Sequence, residues 1–265
     1  MMKMDLFVDR IPNNISHYTS YDVLSIILKN HTFKLNNLFQ VNDDEERQRR
    51  GIEDEAKRVF VACFNMDSDE NHEMWCRYGK SNFPILIKIN NFSSKYQNIF
   101  RYDYLFDDRG RKIIINSDLY SINNANHVEK VQYIRLCQVE YLAENSEVFN
   151  KTYGYKGSKV LKQGVSVNTS VKKYEILGKT KRARNWKVEN EIRYIFNSWT
   201  ANEYYYSNSM FMRLTIDFFK DMEIIIPKDK NVKDVMKLIA ETDLPFDIKD
   251  SIIVRNSQFL VINNK

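Results

Sequence analysis

Glycine and proline are scarce here, with seven and four residues in a chain of 265. They never gather with serine into a hinge, which argues against two modules on a linker and for one principal α+β domain over residues 1–265. No run approaches the ~18 consecutive apolar residues of a membrane-spanning helix. The opening MMKMDLFVDR lacks the apolar centre of a secretory leader, so a cytoplasmic protein with no membrane partner is expected. Cys63, Cys76 and Cys137 are odd in number and far apart, which excludes a paired zinc site or a disulfide framework. Three reduced thiols in or near the core are expected. The isolated glycines form neither a dinucleotide-binding fingerprint nor a P-loop, and no nucleophile elbow is present.

What is present is apolar residues at 43%, charged residues at 28% and many rings, 16 Tyr and 16 Phe. These are ordinary values for a globular chain, so most rings belong to a core rather than a stacking platform. Net charge is +5 and unevenly distributed. Residues 42–58 mix both signs, as an exposed helix does. Asn42 as cap and Glu45 three residues on would close a capping box there, a better account of NDDEE than a metal site, whose ligand spacing it lacks. Lys172, Lys173, Lys179, Lys181, Arg182, Arg184 and Lys187 face a single Glu175 in the next basic stretch. That segment is a solvated loop or a contact for a nucleic-acid backbone. It closes a polar, glycine-punctuated excursion near 150–185, expected to be mobile.

Periodicity predicts a mixed or split antiparallel sheet with flanking helices. ISHYTS reads as a strand running into a helix at SYDVLSIILKN, with Val23, Leu24, Ile26 and Ile27 on its apolar face. TFKLNNL, RVFVACFN, NFPILIKIN, KIIINSDL, FMRLTIDFF, MEIIIP and SIIVRNSQFLVI read as strands. HEMWCRYG and VKDVMKLIAETD read as helices, while VEKVQYIRLCQVEYLAE gives a strand that turns helical. In RVFVACFN, Val59, Val61 and Cys63 share one face and Phe60, Ala62 and Phe64 the other.

The main chemical signal is Trp186–Glu189–Glu191–Arg193. Two-residue spacing places Glu189, Glu191 and Arg193 on one face of a strand, with Asn190, Ile192, Tyr194 and Phe196 opposite. Repulsion would raise the proton affinity of one carboxyl and Arg193 would counter it. Such a pair suits positive charge at an anomeric carbon, or else a salt-bridge network around Arg193. His17 is expected just before a helix N-terminus, whose peptide dipoles favour an anion, with Thr19 or Ser20 as cap. Trp75 is expected in the core and Tyr78 at a ligand ring.

HYTS at 17–20, NDDEE at 42–46, ACF at 62–64, MWCRYG at 74–79 and WKVENEIR at 186–193, in that order, resemble a large, poorly characterised bacterial and phage protein family. That family is similar in outline to ADP-ribosyltransferase-like proteins. The resemblance implies NAD as co-substrate, and the spacing of the acidic residues leads to the expectation of no metal. It implies Glu191 as the catalytic carboxylate and Glu189 as its partner, with His17, Thr19 and Tyr78 holding NAD. Arg193, Trp186, Lys181, Arg182 and Arg184 would then meet the substrate, a protein or nucleic-acid acceptor. A Ser-Thr-Ser segment is lacking, which argues against arginine modification. A non-catalytic nucleic-acid- or protein-binding module associated with bacterial or phage defence, and a metal-dependent nuclease, stay open as alternatives.

Overall fold

The computed structural model describes residues 5–7, 10–41, 57–67, 69–114, 132–142, 180–182, 186–198 and 207–259. The chain begins with β1 (Asp5–Phe7), β2 (Ile15–Ser20), α1 (Tyr21–Asn30), β3 (Thr32–Asn37) and β4 (Val59–Asn65). It continues through α2 (His72–Tyr78), β5 (Pro84–Ile89), α3 (Phe92–Lys95), β6 (Phe100–Asp107) and β7 (Lys112–Ile114). After β8 (Gln132–Gln138), β9 (Glu140–Leu142) and β10 (Thr180–Arg182) comes β11 (Glu191–Ser198). It closes with β12 (Ser209–Leu214), α4 (Ile216–Phe219), β13 (Met222–Ile226), α5 (Val232–Ala240), α6 (Phe246–Ser251) and β14 (Ile253–Asn256). Among the described residues this is an α+β fold built on one mixed sheet of 12 strands, with β9 and β10 paired separately. No described helix is long and apolar enough to cross a membrane.

β4 organises the sheet because both of its faces are apolar. Phe60, Ala62 and Phe64 pack into the main core with Phe33, Ile192, Tyr194 and Phe196. Val59 and Val61 meet Leu38, Cys137 and Ile195 on the other side, where Cys63 packs against them. Burying a large apolar side chain contributes about 1.5–3 kcal/mol, so a strand apolar on both sides belongs in the middle.

The sheet forks at β4. Along one edge β11 pairs with it antiparallel from Glu191↔Asn65 to Asn197↔Val59, and β8 and then β1 extend that wing. Two strands share the opposite edge. β2 meets β4 only at Ser16↔Asn65, while β3 meets it at Asn36↔Val61 and Asn37↔Phe60. β2 leads away through β5, β13 and β14, and β3 through β12, β6 and β7. Between the two attachments the Cys63 carbonyl faces no strand, and His17 Nδ1 donates to it at 2.9 Å. A side chain thus satisfies the backbone group that the fork would leave unpaired.

Several sequence expectations need correction. The buried face of α1 is Leu24, Ile27 and Leu28, whereas Val23 and Ile26 are 40% and 50% exposed. Only Ser20 caps it, its Oγ accepting from Val23 N at 3.3 Å. The segment around Glu140 does not turn helical, because β9 continues extended and pairs with β10. FMRLTIDFF is a strand only to Leu214, and α4 then buries Phe218 and Phe219 on one side. The acidic NDDEE stretch lies outside the described residues, as do Arg184 and most of the 150–185 excursion.

Candidate functional site

A cleft of about 360 Å³ opens at the fork. β2 contributes Ser16, His17 and Tyr18, β4 contributes Cys63, Phe64 and Asn65, and β11 contributes Glu191 and Arg193. Met74 and Tyr78 come from α2, Lys181 from β10, and Asn36, Gln40 and Val41 from β3 and the turn after it. Glu189 also lines the cleft, so the structure brings His17, Tyr78, Lys181, Glu189, Glu191 and Arg193 together.

Glu189 gets there by a different route from the one its spacing predicts. Glu191 and Arg193 share a face of β11, but Lys187–Glu189 is a 3-10 turn and the strand starts only at Glu191. Asn190 sits between them in the left-handed region, at φ 37° and ψ 59°. Asparagine tolerates that conformation because its short amide bonds locally. Here Asn190 Nδ2 donates to Asp67 Oδ1 at 2.6 Å, and the Asn190 carbonyl accepts from Met66 N at 2.9 Å. Asn65 Nδ2 holds the Glu189 carbonyl at 2.8 Å. These bonds swing the Glu189 side chain into the cleft from the turn.

The two carboxylates do not face each other unscreened. Lys181 Nζ lies between them, 2.6 Å from Glu189 Oε2 and 3.1 Å from Glu191 Oε2. Arg193 grips Glu191 with two donors, Nε to Oε1 at 2.9 Å and Nη2 to Oε2 at 3.0 Å. Tyr78 donates its hydroxyl to Glu189 Oε1. All four charged side chains are at least 94% buried, and their formal charges sum to zero. Burial alone would push the Glu191 carboxyl up, but Arg193 and Lys181 overcome it and hold the group well below the usual carboxylate range. The expected raised proton affinity of one acid is therefore reversed at Glu191. The Cys63 thiol also bonds Glu191, and burial followed by that negative neighbour pushes the thiol far up, which keeps it protonated and un-nucleophilic.

His17 stands in mid-strand rather than at the helix start, with three residues between it and α1. Its neighbours are the rings of Phe33 and Phe64, at 4.9 and 5.7 Å. Burial lowers its pKa, against a smaller opposing effect of the Cys63 carbonyl, so the imidazole is neutral near pH 7. With Nδ1 donating, Nε2 of the neutral ring is an acceptor, suited to a hydroxyl and not to a phosphate oxygen. Thr19 lies further along β2 and does not line the cleft.

α2 is aimed by Asn71, whose Oδ1 caps it through Glu73 N at 2.9 Å, and by Trp75, 1% exposed against Tyr18. Tyr78 sits at its last turn. Trp186 covers the ion cluster from outside, its ring 4.7 Å from Lys181 Nζ and 5.6 Å from the Arg77 guanidinium. Lys181 is thus enclosed by acids and a ring, not presented on a basic surface. Arg182 is placed through its backbone, beside Leu142.

Sequence reasoning missed Tyr141, whose hydroxyl accepts from Glu191 N at 2.9 Å, and Asn65 with Asp67, which pin the turn. One local signal was available: Asn190, a residue suited to left-handed backbone, interrupts the alternation at its first step. Among the described residues no group of three or more His, Cys, Asp or Glu side chains is arranged to hold a metal ion. No protein-family model matches the chain, and no curated protein or solved structure matches it.

Proposed function

We propose that the forked sheet is an ADP-ribosyltransferase-like scaffold and that its cleft takes the nicotinamide-riboside half of NAD for cleavage of the N-glycosidic bond. The observation that carries this reading is the Glu191 carboxylate, held ionised in a desolvated cleft that a neutral imidazole also lines. A fixed negative charge in a water-poor site stabilises positive charge developing on a bound sugar more strongly than the same charge in water.

In the step proposed, the bond from ribose C1′ to the nicotinamide nitrogen breaks and its electron pair stays with nicotinamide. Glu191 stabilises the cationic sugar, and His17 Nε2 accepts a hydrogen bond from a ribose hydroxyl. Water or a protein or nucleic-acid acceptor adds a lone pair to C1′ and releases a proton. Tyr78 offers its ring to the nicotinamide. A volume of about 360 Å³ lies at the small end of ligand pockets, which fits the riboside and not the whole dinucleotide. Lys181 and Arg193 are already held by carboxylates, so the diphosphate is expected to leave past exposed Asn36 and Gln40.

A binding module is the second reading, favoured by the closure of the ion cluster: both oxygens of each carboxylate already accept a hydrogen bond. One experiment separates the two. NAD is incubated with the protein and with protein, DNA and RNA acceptors, and nicotinamide release and product mass are measured alongside thermal unfolding. Release that falls about 100-fold in Glu191→Gln, with the fold retained, supports the transferase reading. Full-rate release in that variant sinks it, and NAD binding without release favours the module.

A further inference from the structure

The wing β3–β12–β6–β7 has two unlike faces. On one of them Phe33, Leu35, Leu105, Ile113, Met210 and Met212 join the main core. Helix α1 packs on that same side, through Leu24, Ile27 and Leu28. The other face carries rings and cations. The register sets Lys34 opposite Phe211, Phe211 opposite Phe106 and Phe106 opposite Lys112, so a cation stands at each end of a row with Phe211 and Phe106 between. At a strand spacing of about 4.8 Å that row is about 14 Å long. Tyr104 precedes Phe106 by two residues on the same face, its ring edge-on to Phe106 at 5.3 Å.

This face is chemically distinct from the core behind it. Tyr104, Phe106 and Phe211 are half-buried, and none of them belongs to a core cluster. Its cations are engaged by neutral groups. Lys112 Nζ lies 4.1 Å from the Tyr104 ring centre, and Arg213, two residues beyond Phe211 on β12, donates to the Asn30 carbonyl at 3.0 Å. Each therefore keeps its charge for an anion, and Lys34, Lys112 and Arg213 are all exposed. Exposed Arg101 and Asp103 on β6 offset each other, which leaves the face positive. It also runs on to the cleft, because Asn36, two residues past Lys34 on β3, lines that cleft.

We infer that this face binds single-stranded nucleic acid, with bases stacked on Phe106 and Phe211 and phosphates against Lys34, Lys112 and Arg213. Rings on the central strands of a sheet form a platform for unstacked bases, and flanking cations follow the backbone. A duplex keeps its base faces stacked away from such rings, and an acidic peptide would use the cations and leave the rings idle. The binding requires no chemistry at Glu191, so it is tested apart from the NAD reading.

Fluorescence anisotropy of the full chain, without NAD, is measured with labelled oligo-dT and oligo-U of about 12 nucleotides, a duplex of the same length and a poly-glutamate peptide. A single strand should bind more tightly than the duplex or the peptide, and the two strands tell DNA from RNA. Phe106→Leu and Phe211→Leu should each weaken binding about tenfold while the circular dichroism stays that of the wild type. The double change Lys34→Gln with Lys112→Gln keeps the rings, alters only exposed side chains, and should lower the slope of log K against log salt by about 0.7 for each cation. No binding of either strand, a preference for duplex or peptide, wild-type affinity in a folded Leu variant, or an unchanged salt slope in the lysine variant would each overturn the inference.

Discussion

At Glu191 the sign of the local charge decides both stability and chemistry. Removing one member of a buried ion cluster strands the others, at a cost of about 3–5 kcal/mol. Glu191→Gln leaves Lys181 and Arg193 facing Glu189 alone, so its unfolding free energy, read from urea denaturation, should fall by that order. Adding Lys181→Met restores zero net charge. The double variant should therefore be more stable than the sum of the single losses by about 1–3 kcal/mol, measured as a double-mutant cycle. Additive losses would show that the four groups are not one unit. The pH dependence follows from two lowered values. Glu191 moves from 4.5 to about 2 on folding, so its stabilisation is complete above 4.5 and is lost as pH falls through the folded value. His17 is lowered from 6.5, so protonation favours the unfolded chain and stability declines as pH drops below that value. Denaturation at pH 2.5 to 8 should show both limbs. Glu191→Gln should lose the acid limb and keep the one set by His17.

Among the elements, those with an uninterrupted local period were legible. β4 alternates as its residues imply, and α5 buries Val235, Leu238 and Ile239 as an amphipathic helix should. β11 was legible from Glu191 onward, and the reading failed one residue earlier because a left-handed Asn190 resets the direction of the chain. A strand period carries no information about such a reversal, which is decided by bonds to Asn65, Met66 and Asp67 in another strand's turn. That difference can be measured. Asn190→Gly and Asn190→Ala both lose the bond to Asp67, but only alanine meets the steric cost of left-handed backbone, about 1–2 kcal/mol. Asn190→Ala should be the less stable by that amount in urea unfolding. Equal stabilities would mean that the turn relaxes out of its left-handed conformation.

Across the whole molecule, the fork at β4 creates the cleft, and no local pattern in the sequence announces it. Which strands share an edge depends on pairings between residues far apart in the chain, such as Ser16 with Asn65 and Asn36 with Val61. The clustering of His17 with Glu191 is a product of that topology. The resemblance named both residues but not their geometry, since His17 lines the cleft from mid-strand and not from a helix N-terminus. The same topology makes His17 a tie between wings, because its Nδ1 satisfies the Cys63 carbonyl where neither β2 nor β3 can. His17→Phe would keep the ring contacts with Phe33 and Phe64 and leave that carbonyl unpaired, a loss of about 1–3 kcal/mol. His17→Asn can present an amide N–H near the position of Nδ1 and should recover most of it. Hydrogen exchange locates the effect. In His17→Phe, protection should fall at the amides of Ser16, Asn36 and Asn65 around the fork and persist where β5 pairs with β13. A uniform loss across both wings, or equal stability of the Phe and Asn variants, would show that the fork is held by packing alone and that the imidazole is free to serve only the cleft.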